Sequence, residues 1–116
     1  MLQRIEGDLH IEHVSLRKIA ETYDTPCFVY SEGAIAAAYQ SFNDAFSMHP
    51  HRICYAVKAN SNLAILQTLA ALGSGFDIVS GGELARVLRA GGDPSSVVFS
   101  GVGKQDWEIL FASGGF

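Results

Sequence analysis

Short apolar segments alternate with helical patterns along most of this chain, and this alternation restricts the fold more than any other feature. β-branched or aromatic runs occur at RICYAV (52–57), FDIV (76–79) and VVF (97–99), and turn residues and a helical pattern follow each of them. Strands separated by helices pair in parallel through right-handed crossovers, because antiparallel hairpins have much shorter connections. The sequence therefore predicts the α/β class with about three parallel βα units.

The helical patterns have recognisable beginnings and ends. Ser80 and Glu83 have the spacing of a capping box, and Gly73 is a typical residue just beyond the end of a helix. A lone strand, PCFVY (26–30), is expected between the first two helices. Five helices are predicted, over residues 15–23, 31–46, 61–73, 80–92 and from 105 onward.

One strand favours a barrel over an open sheet, although three units alone fit either architecture. In RICYAVK (52–58), the bulky residues Ile53, Tyr55 and Val57 alternate with Cys54, Ala56 and Lys58. The bulky set is expected to face the helices and the small set the interior. The pattern thus favours part of a (β/α)₈ TIM barrel with Lys58 pointing inward. The alternative is that Lys58 only extends its ammonium into solvent from a strand end.

Two side chains near the strand ends are the best candidates for chemistry. A lysine at the carboxyl end of a parallel strand lies on the face where α/β proteins place their active sites. A partly desolvated amine there is a nucleophile toward an aldehyde, which is the reaction that pyridoxal 5′-phosphate requires. Asp77, near the end of the next strand, is expected on the same rim, where its carboxylate would steer the amine or a protonated substrate. The alternative for Asp77 is a solvated or turn-capping acid.

Composition and charge exclude several other classes of function. The chain has 12 acidic and 8 basic residues and no basic stripe, so we expect no binding to nucleic acid or anionic membranes. Its first residues do not form a secretory signal and its longest apolar stretch is too short to span a bilayer, which predicts a cytoplasmic protein. Cys27 and Cys54 are expected to remain thiols. The histidine pairs 10/13 and 49/51 lack further ligands, so no metal site is predicted.

Several linked motifs carry a family resemblance. CYAVKANSNLAILQTLAALGSGFDIVSGGELARVLRAGG followed by VVFSGVGK resembles the N-terminal barrel segment of the bacterial diaminopimelate decarboxylases. These enzymes belong to the pyridoxal-phosphate proteins with an alanine-racemase-like barrel, together with ornithine and arginine decarboxylases. YAVKAN is common to several of them, whereas GSGFDIVSGGEL with FSGVGK is similar to the diaminopimelate branch. The resemblance runs from about residue 14 to about residue 108.

The resemblance implies roles for individual residues. Lys58 matches the lysine that forms the Schiff base with pyridoxal 5′-phosphate, and Asp77 matches the acidic residue near that lysine and the cofactor. Glu83 matches the acid of the SGGE motif, but a helix cap already explains Glu83, and Ser80 has the same alternative. Lys104 matches a lysine that is frequent in the family, with a surface role as the alternative.

The resemblance also implies a domain organisation and an activity. Residues 1–30 would lead in as a helix and a strand that pairs with an absent C-terminal β domain, and residues 31–116 would form the truncated N-terminal portion of a pyridoxal-phosphate-binding TIM barrel. The full-length parent, expected to be a homodimer, would decarboxylate meso-2,6-diaminopimelate to L-lysine. The chain alone would be inactive, because the phosphate-binding and substrate-binding loops would lie beyond it. The alternatives are a non-catalytic cofactor-binding or interaction protein of this superfamily, or a relative of the ornithine and arginine decarboxylases.

Overall fold

The computed structural model describes residues 1–114, which begin with a small antiparallel sheet. Strands β1 (Leu2–Ile5), β2 (Asp8–Ile11) and β3 (Val14–Ser15) pair in the order β1-β2-β3. The turn between β1 and β2 has two residues, Glu6 and Gly7, with φ of 49° and 85°. Positive φ at both positions matches the twist of a tight hairpin. The sequence patterns did not predict this sheet.

Two helices follow, and their bounds confirm the predicted segments. Helix α1 spans Leu16–Tyr23, and helix α2 spans Glu32–Ala45. Each begins after a serine whose hydroxyl accepts a backbone N–H of the first turn, Ser15 for α1 and Ser31 for α2. Residues 26–30, predicted as a lone strand, join neither sheet, so the pairing of this segment with a further domain stays a prediction.

A parallel sheet forms the second half of the chain, as predicted. Its strands β4 (Cys54–Ala56), β5 (Gly75–Ile78) and β6 (Val97–Phe99) pair in the order β4-β5-β6. Strand β4 is shorter than the predicted 52–57, since it begins at Cys54 and ends where Val57–Ala59 form a 3₁₀ turn. Lys58 therefore lies in that turn and not in the strand.

The helices of the second half connect and cover this sheet. Helix α3 spans Leu63–Ala71, α4 spans Gly81–Arg89, and α5 spans Asp106–Ala112. Gly73, just beyond α3, has a φ of 87°, which a glycine adopts without steric cost. A 3₁₀ turn over Pro94–Ser96 precedes β6. Residues 115 and 116 of the predicted barrel segment lie outside the described residues.

One face of the parallel sheet forms the core. Val57, Phe76 and Ile78 are fully buried and belong to the same apolar cluster as residues from α3 and α4. Burying a side chain of this size contributes about 1.5–3 kcal/mol. The residues from the two helices in this cluster are Ile65, Leu66, Leu69, Leu84 and Val87.

The other face of the sheet is open, and the described part of the chain is extended in shape. Val98, in the middle of β6, is 49% exposed, and β4 and β6 are the outer strands of this sheet. The Cα radius of gyration is 17.2 Å, against about 13 Å for a compact domain of this length. None of the helices within residues 1–114 is long and apolar enough to cross a membrane.

Candidate active site

Lys58 is at the carboxyl end of β4, in the turn that ends the strand. Val57, directly before it, is 0% exposed, whereas the Lys58 side chain is exposed. The ammonium has no hydrogen-bond or ion-pair partner among residues 1–114. The turn is thus anchored in the core by one residue while the next presents a primary amine to solvent.

Three hydrogen bonds hold the segment that follows Lys58. The Tyr55 hydroxyl donates to the Asn60 carbonyl oxygen at 3.0 Å, and Asn60 Oδ1 accepts the Asn62 backbone N–H at 3.0 Å. Arg86 Nη1, on α4, donates to the Ser61 carbonyl oxygen at 3.2 Å. Burial raises the pKa of Tyr55, which keeps the phenol protonated as a donor. Two of these contacts come from β4 and α4, so the segment after the turn has fixed neighbours on two sides.

Asp77 lies within β5 and faces away from the core. Its neighbours Phe76 and Ile78 are fully buried, and side chains alternate between the two faces of a strand, so the half-buried Asp77 is on the open face. The strand register pairs Asp77 with Ala56 on one side and Val98 on the other. Asp77 Oδ1 accepts a hydrogen bond from Ser100 Oγ at 2.5 Å. Asp77 therefore caps no turn, and it makes no ion pair with Lys58 in this arrangement.

The other candidates are engaged in local contacts. Ser80 Oγ accepts the Glu83 N–H at 3.1 Å, and Glu83 Oε2 accepts the Val79 N–H at 2.7 Å. Both residues thus cap α4, although the return bond reaches Val79 and not Ser80 as in a standard capping box. Lys104 Nζ donates to the Gly101 carbonyl oxygen at 2.9 Å and lies 5.2 Å from the Phe99 ring centroid.

A buried carboxylate, absent from the sequence-based candidates, connects α5 to the start of α4. Glu108 is 8% exposed, and its two oxygens accept the Gly81 and Gln105 backbone N–H groups, each at 2.9 Å. The bonds from Gln105 and Gly81 lower the pKa of Glu108, against the opposing effect of burial. A Cβ at Gly81 would lie 2.6 Å from Trp107 Cζ3, so only glycine fits beside this ring without a shift. The spacing of Gln105 and Glu108 was the available sequence signal.

The fold and the site together define a class. A parallel βα sheet has a primary amine at the carboxyl end of one strand and a carboxylate on the open face of the next. This is the arrangement expected of part of a βα-barrel protein with lysine chemistry at its rim.

Comparison with known proteins identifies the family. Residues 32–114 match the family model described as pyridoxal-dependent decarboxylase, pyridoxal binding domain, and the chain belongs to this family. The chain is 58% identical over 104 residues to diaminopimelate decarboxylase from Vibrio cholerae, covering 90% of this chain and 25% of that enzyme. It is 59% identical over 99 residues to diaminopimelate decarboxylase from Pseudomonas aeruginosa, covering 85% of this chain and 24% of that enzyme.

Solved structures agree with this assignment. A structure titled diaminopimelate decarboxylase from M. jannaschii in co-complex with L-lysine has a TM-score of 0.92 and 34% identity, covering 97% of this chain and 27% of that one. One from Helicobacter pylori, complexed with L-lysine, has a TM-score of 0.80 and 46% identity, covering 84% of this chain and 25% of that one. The predictions of family, partial-barrel fold and pyridoxal cofactor class are thereby confirmed. The chain spans about a quarter of the length of these relatives.

Proposed function

We propose that this chain is the lysine-bearing segment of a diaminopimelate decarboxylase, in which Lys58 holds pyridoxal 5′-phosphate. The proposed reaction converts meso-2,6-diaminopimelate to L-lysine and carbon dioxide. The observation that carries the proposal is the amine of Lys58, exposed and unpartnered in the described part of the chain, at the end of β4 inside the matched segment 32–114. The relatives that carry the name diaminopimelate decarboxylase support the substrate class.

The residues present fit the reactive end of the cofactor. Pyridoxal 5′-phosphate, when bound, supplies an electron-withdrawing ring that takes up the electron pair released as the substrate loses carbon dioxide. Lys58 Nζ provides the primary amine that binds an aldehyde carbon. Within residues 1–114 this amine has no hydrogen bond or ion pair that would have to break first. Asp77 provides a carboxylate on the neighbouring strand that stabilises a proton held near Lys58 Nζ.

The chain alone is expected to give no useful turnover. Lys58 and much of the open sheet face are in contact with water, whereas catalytic groups gain most when a closed site fixes their geometry and excludes solvent. We therefore assign the activity to a longer parent protein, proposed to be cytoplasmic and homodimeric. In that parent, residues 1–30 would lead in and residues 31–116 would begin the cofactor-binding barrel.

A chimaera tests this proposal. In it, this chain replaces the matching quarter of the Vibrio cholerae enzyme, to which it is 58% identical over the aligned residues. The chimaera is expected to show a visible absorption band with pyridoxal 5′-phosphate, to retain the cofactor on Lys58 after borohydride reduction, and to release carbon dioxide from diaminopimelate. Lys58→Ala should abolish all three.

Lys104→Ala is the matched control, because Lys104 is also an exposed lysine beyond a strand end but donates to a backbone carbonyl. Its band and its borohydride product should equal those of the parent chimaera. Retention of the reduced cofactor by Lys58→Ala would show that the lysine is misassigned. A band without carbon dioxide release would favour the non-catalytic alternative, and faster release from ornithine or arginine would redirect the substrate assignment.

A further inference from the structure

Ser100 makes a side-chain contact with the proposed site. It follows β6 directly, and its backbone N–H donates to the Ile78 carbonyl oxygen at 2.9 Å, which continues the ladder between β5 and β6. Its hydroxyl donates to Asp77 Oδ1 at 2.5 Å, and both side chains are half-buried. A distance of about 2.5–2.7 Å is typical of a strong hydrogen bond from a hydroxyl to a charged carboxylate.

The Ser100 bond leaves one Asp77 oxygen free. Asp77 Oδ2 has no hydrogen-bond partner within residues 1–114, and Asp77 is flanked in the sheet by the apolar Ala56 and Val98. Ser100 is thus the side chain that fixes this carboxylate among the described residues. Lys58 lies two residues beyond Ala56, at the same end of the sheet.

We propose that Ser100 is a positioning residue: its hydroxyl holds Asp77 Oδ1 so that Oδ2 is directed to the amine of Lys58 in the assembled enzyme. This inference rests on the proposed function, because it assumes that Asp77 acts on a proton held by cofactor-bound Lys58. Without the hydroxyl, the carboxylate can rotate about two side-chain torsions, and water competes for both of its oxygens. Its average interaction with the amine then weakens.

The effect is measurable as a spectroscopic pH midpoint. A carboxylate within about 4–6 Å of a protonated group favours the protonated form, by about 1–3 pH units. The midpoint at which the visible band of the cofactor-loaded chimaera changes with pH should therefore fall by about 1–3 units in Asp77→Asn. Ser100→Ala should lower the same midpoint by part of that shift, and Ser100→Thr, which restores a hydroxyl, should recover most of it.

A double-mutant cycle separates positioning from general damage to the fold. If Ser100 acts through Asp77, then Ser100→Ala should add little to the midpoint shift in the Asp77→Asn background, whereas independent effects would add. Ser96→Ala is the matched control, because Ser96 precedes β6 at its other end and its hydroxyl donates to the Asp93 carbonyl oxygen. Its midpoint should equal that of the parent chimaera.

The result that would overturn the inference is an unchanged midpoint in Ser100→Ala, or full additivity with Asp77→Asn. If Ser100→Ala fails to bind the cofactor, the pH midpoint and the additivity are measured with Ser100→Cys instead. Cysteine has a similar size to serine but is a weaker hydrogen-bond donor. The borohydride experiment on Lys58→Ala is independent of these variants. Failure of the Ser100 prediction with normal Lys58 labelling would therefore reject the positioning role and leave the proposed function standing.

Discussion

The two sheets of this molecule have the same number of strands but are stabilised differently. All four residues of β1, in the antiparallel sheet, are exposed, whereas Gly75, Phe76 and Ile78 of β5 are buried. Two-residue turns join the antiparallel strands. The antiparallel sheet therefore forms from segments that are neighbours in the sequence. The parallel sheet pairs strands that are separated by whole helices, and such distant contacts form only when apolar burial offsets the cost of closing long loops.

The Glu12 carboxylate links the antiparallel sheet to the start of α2. Glu12, in the turn between β2 and β3, accepts hydrogen bonds from Ser31 Oγ at 2.5 Å and from the Gly33 N–H at 2.8 Å. The bonds from Ser31 and Gly33 lower the pKa of Glu12. Both donors are at the start of α2, where a negative charge is also favoured by the helix dipole. Polar contacts of Glu12 thus connect the antiparallel sheet to α2, whereas an apolar core holds the parallel sheet against α3 and α4.

The largest effect is expected when the whole chain is isolated. Within residues 1–114, the parallel sheet has an uncovered face, and its outer strands β4 and β6 have open edges. Open edges and exposed apolar side chains pair with other chains. We expect the 116-residue chain to self-associate in analytical ultracentrifugation, and Val98→Lys on the open face of β6 to reduce this association. A monodisperse monomer with one cooperative thermal transition would contradict the expectation.

The next largest effect concerns the core of the parallel sheet. Phe76→Ala should lower the free energy of unfolding of the chimaera by about 3–5 kcal/mol, because it removes a fully buried ring. Leu9→Ala is the counterpart in the antiparallel sheet, where the leucine is 37% exposed. It should cost less than about 1 kcal/mol, as is usual for surface positions. Urea unfolding measures the loss of unfolding free energy in both variants. Equal losses would contradict the view that the two sheets are stabilised differently.

A smaller effect, dependent on pH, is expected at Glu108. Its pKa lies below the ordinary value of 4.5 in the folded state, so the stabilisation is present above that value and is lost as the pH falls through the lowered pKa. Glu108→Gln should lower the thermal midpoint at neutral pH and flatten its decrease under acid conditions. Asp106→Asn, an exposed carboxylate on the same helix, is the control. If the thermal midpoint depends on pH in the same way in the parent chimaera and in Glu108→Gln, this role of Glu108 is refuted.

The smallest effect is expected at Glu12, because its contacts are at the surface. Glu12→Gln weakens the acceptor for Ser31 Oγ and the Gly33 N–H, so the segment 24–30 should be cleaved faster in limited proteolysis of the chimaera. Urea unfolding of the parallel core should barely change. Glu21→Gln, an exposed acid on α1, should leave the cleavage rate as it is. Unchanged cleavage in Glu12→Gln would mean that other contacts hold the antiparallel sheet in place.

The helices and the parallel strands were predictable because their signals are local. Caps and apolar periodicity gave the helix segments, and VVF matches β6 residue for residue. The antiparallel sheet was missed because its turn has glutamate, not asparagine or aspartate, before Gly7, and a glutamate at positive φ is uncommon. The alternation of polar and apolar residues in DLHI was the signal that remained.

The site was only partly predictable, because its contacts depend on strand register. Sequence placed Lys58 and Asp77 at the ends of neighbouring strands, but their roles stay predictions. The bond between Asp77 and Ser100 requires Ile78 to lie beside Phe99, and three-residue strands carry too little pattern to fix that register. The turn at Val57–Ala59 was missed for a related reason, since an apolar run does not indicate where pairing stops.

Val57 and Lys58 place a core residue directly beside the proposed cofactor lysine. Val57 is fully buried in the core, and the exposed side chain of Lys58 follows one peptide bond later. In a saturation mutagenesis library of the chimaera, position 57 should accept other apolar residues of similar volume and reject polar ones, as judged by protein abundance. If Lys58 holds the cofactor as proposed, position 58 should tolerate most residues when protein abundance is measured, but only lysine should support growth that depends on lysine synthesis. Protein abundance at position 57 and growth at position 58 would then measure the requirements of folding and of chemistry separately.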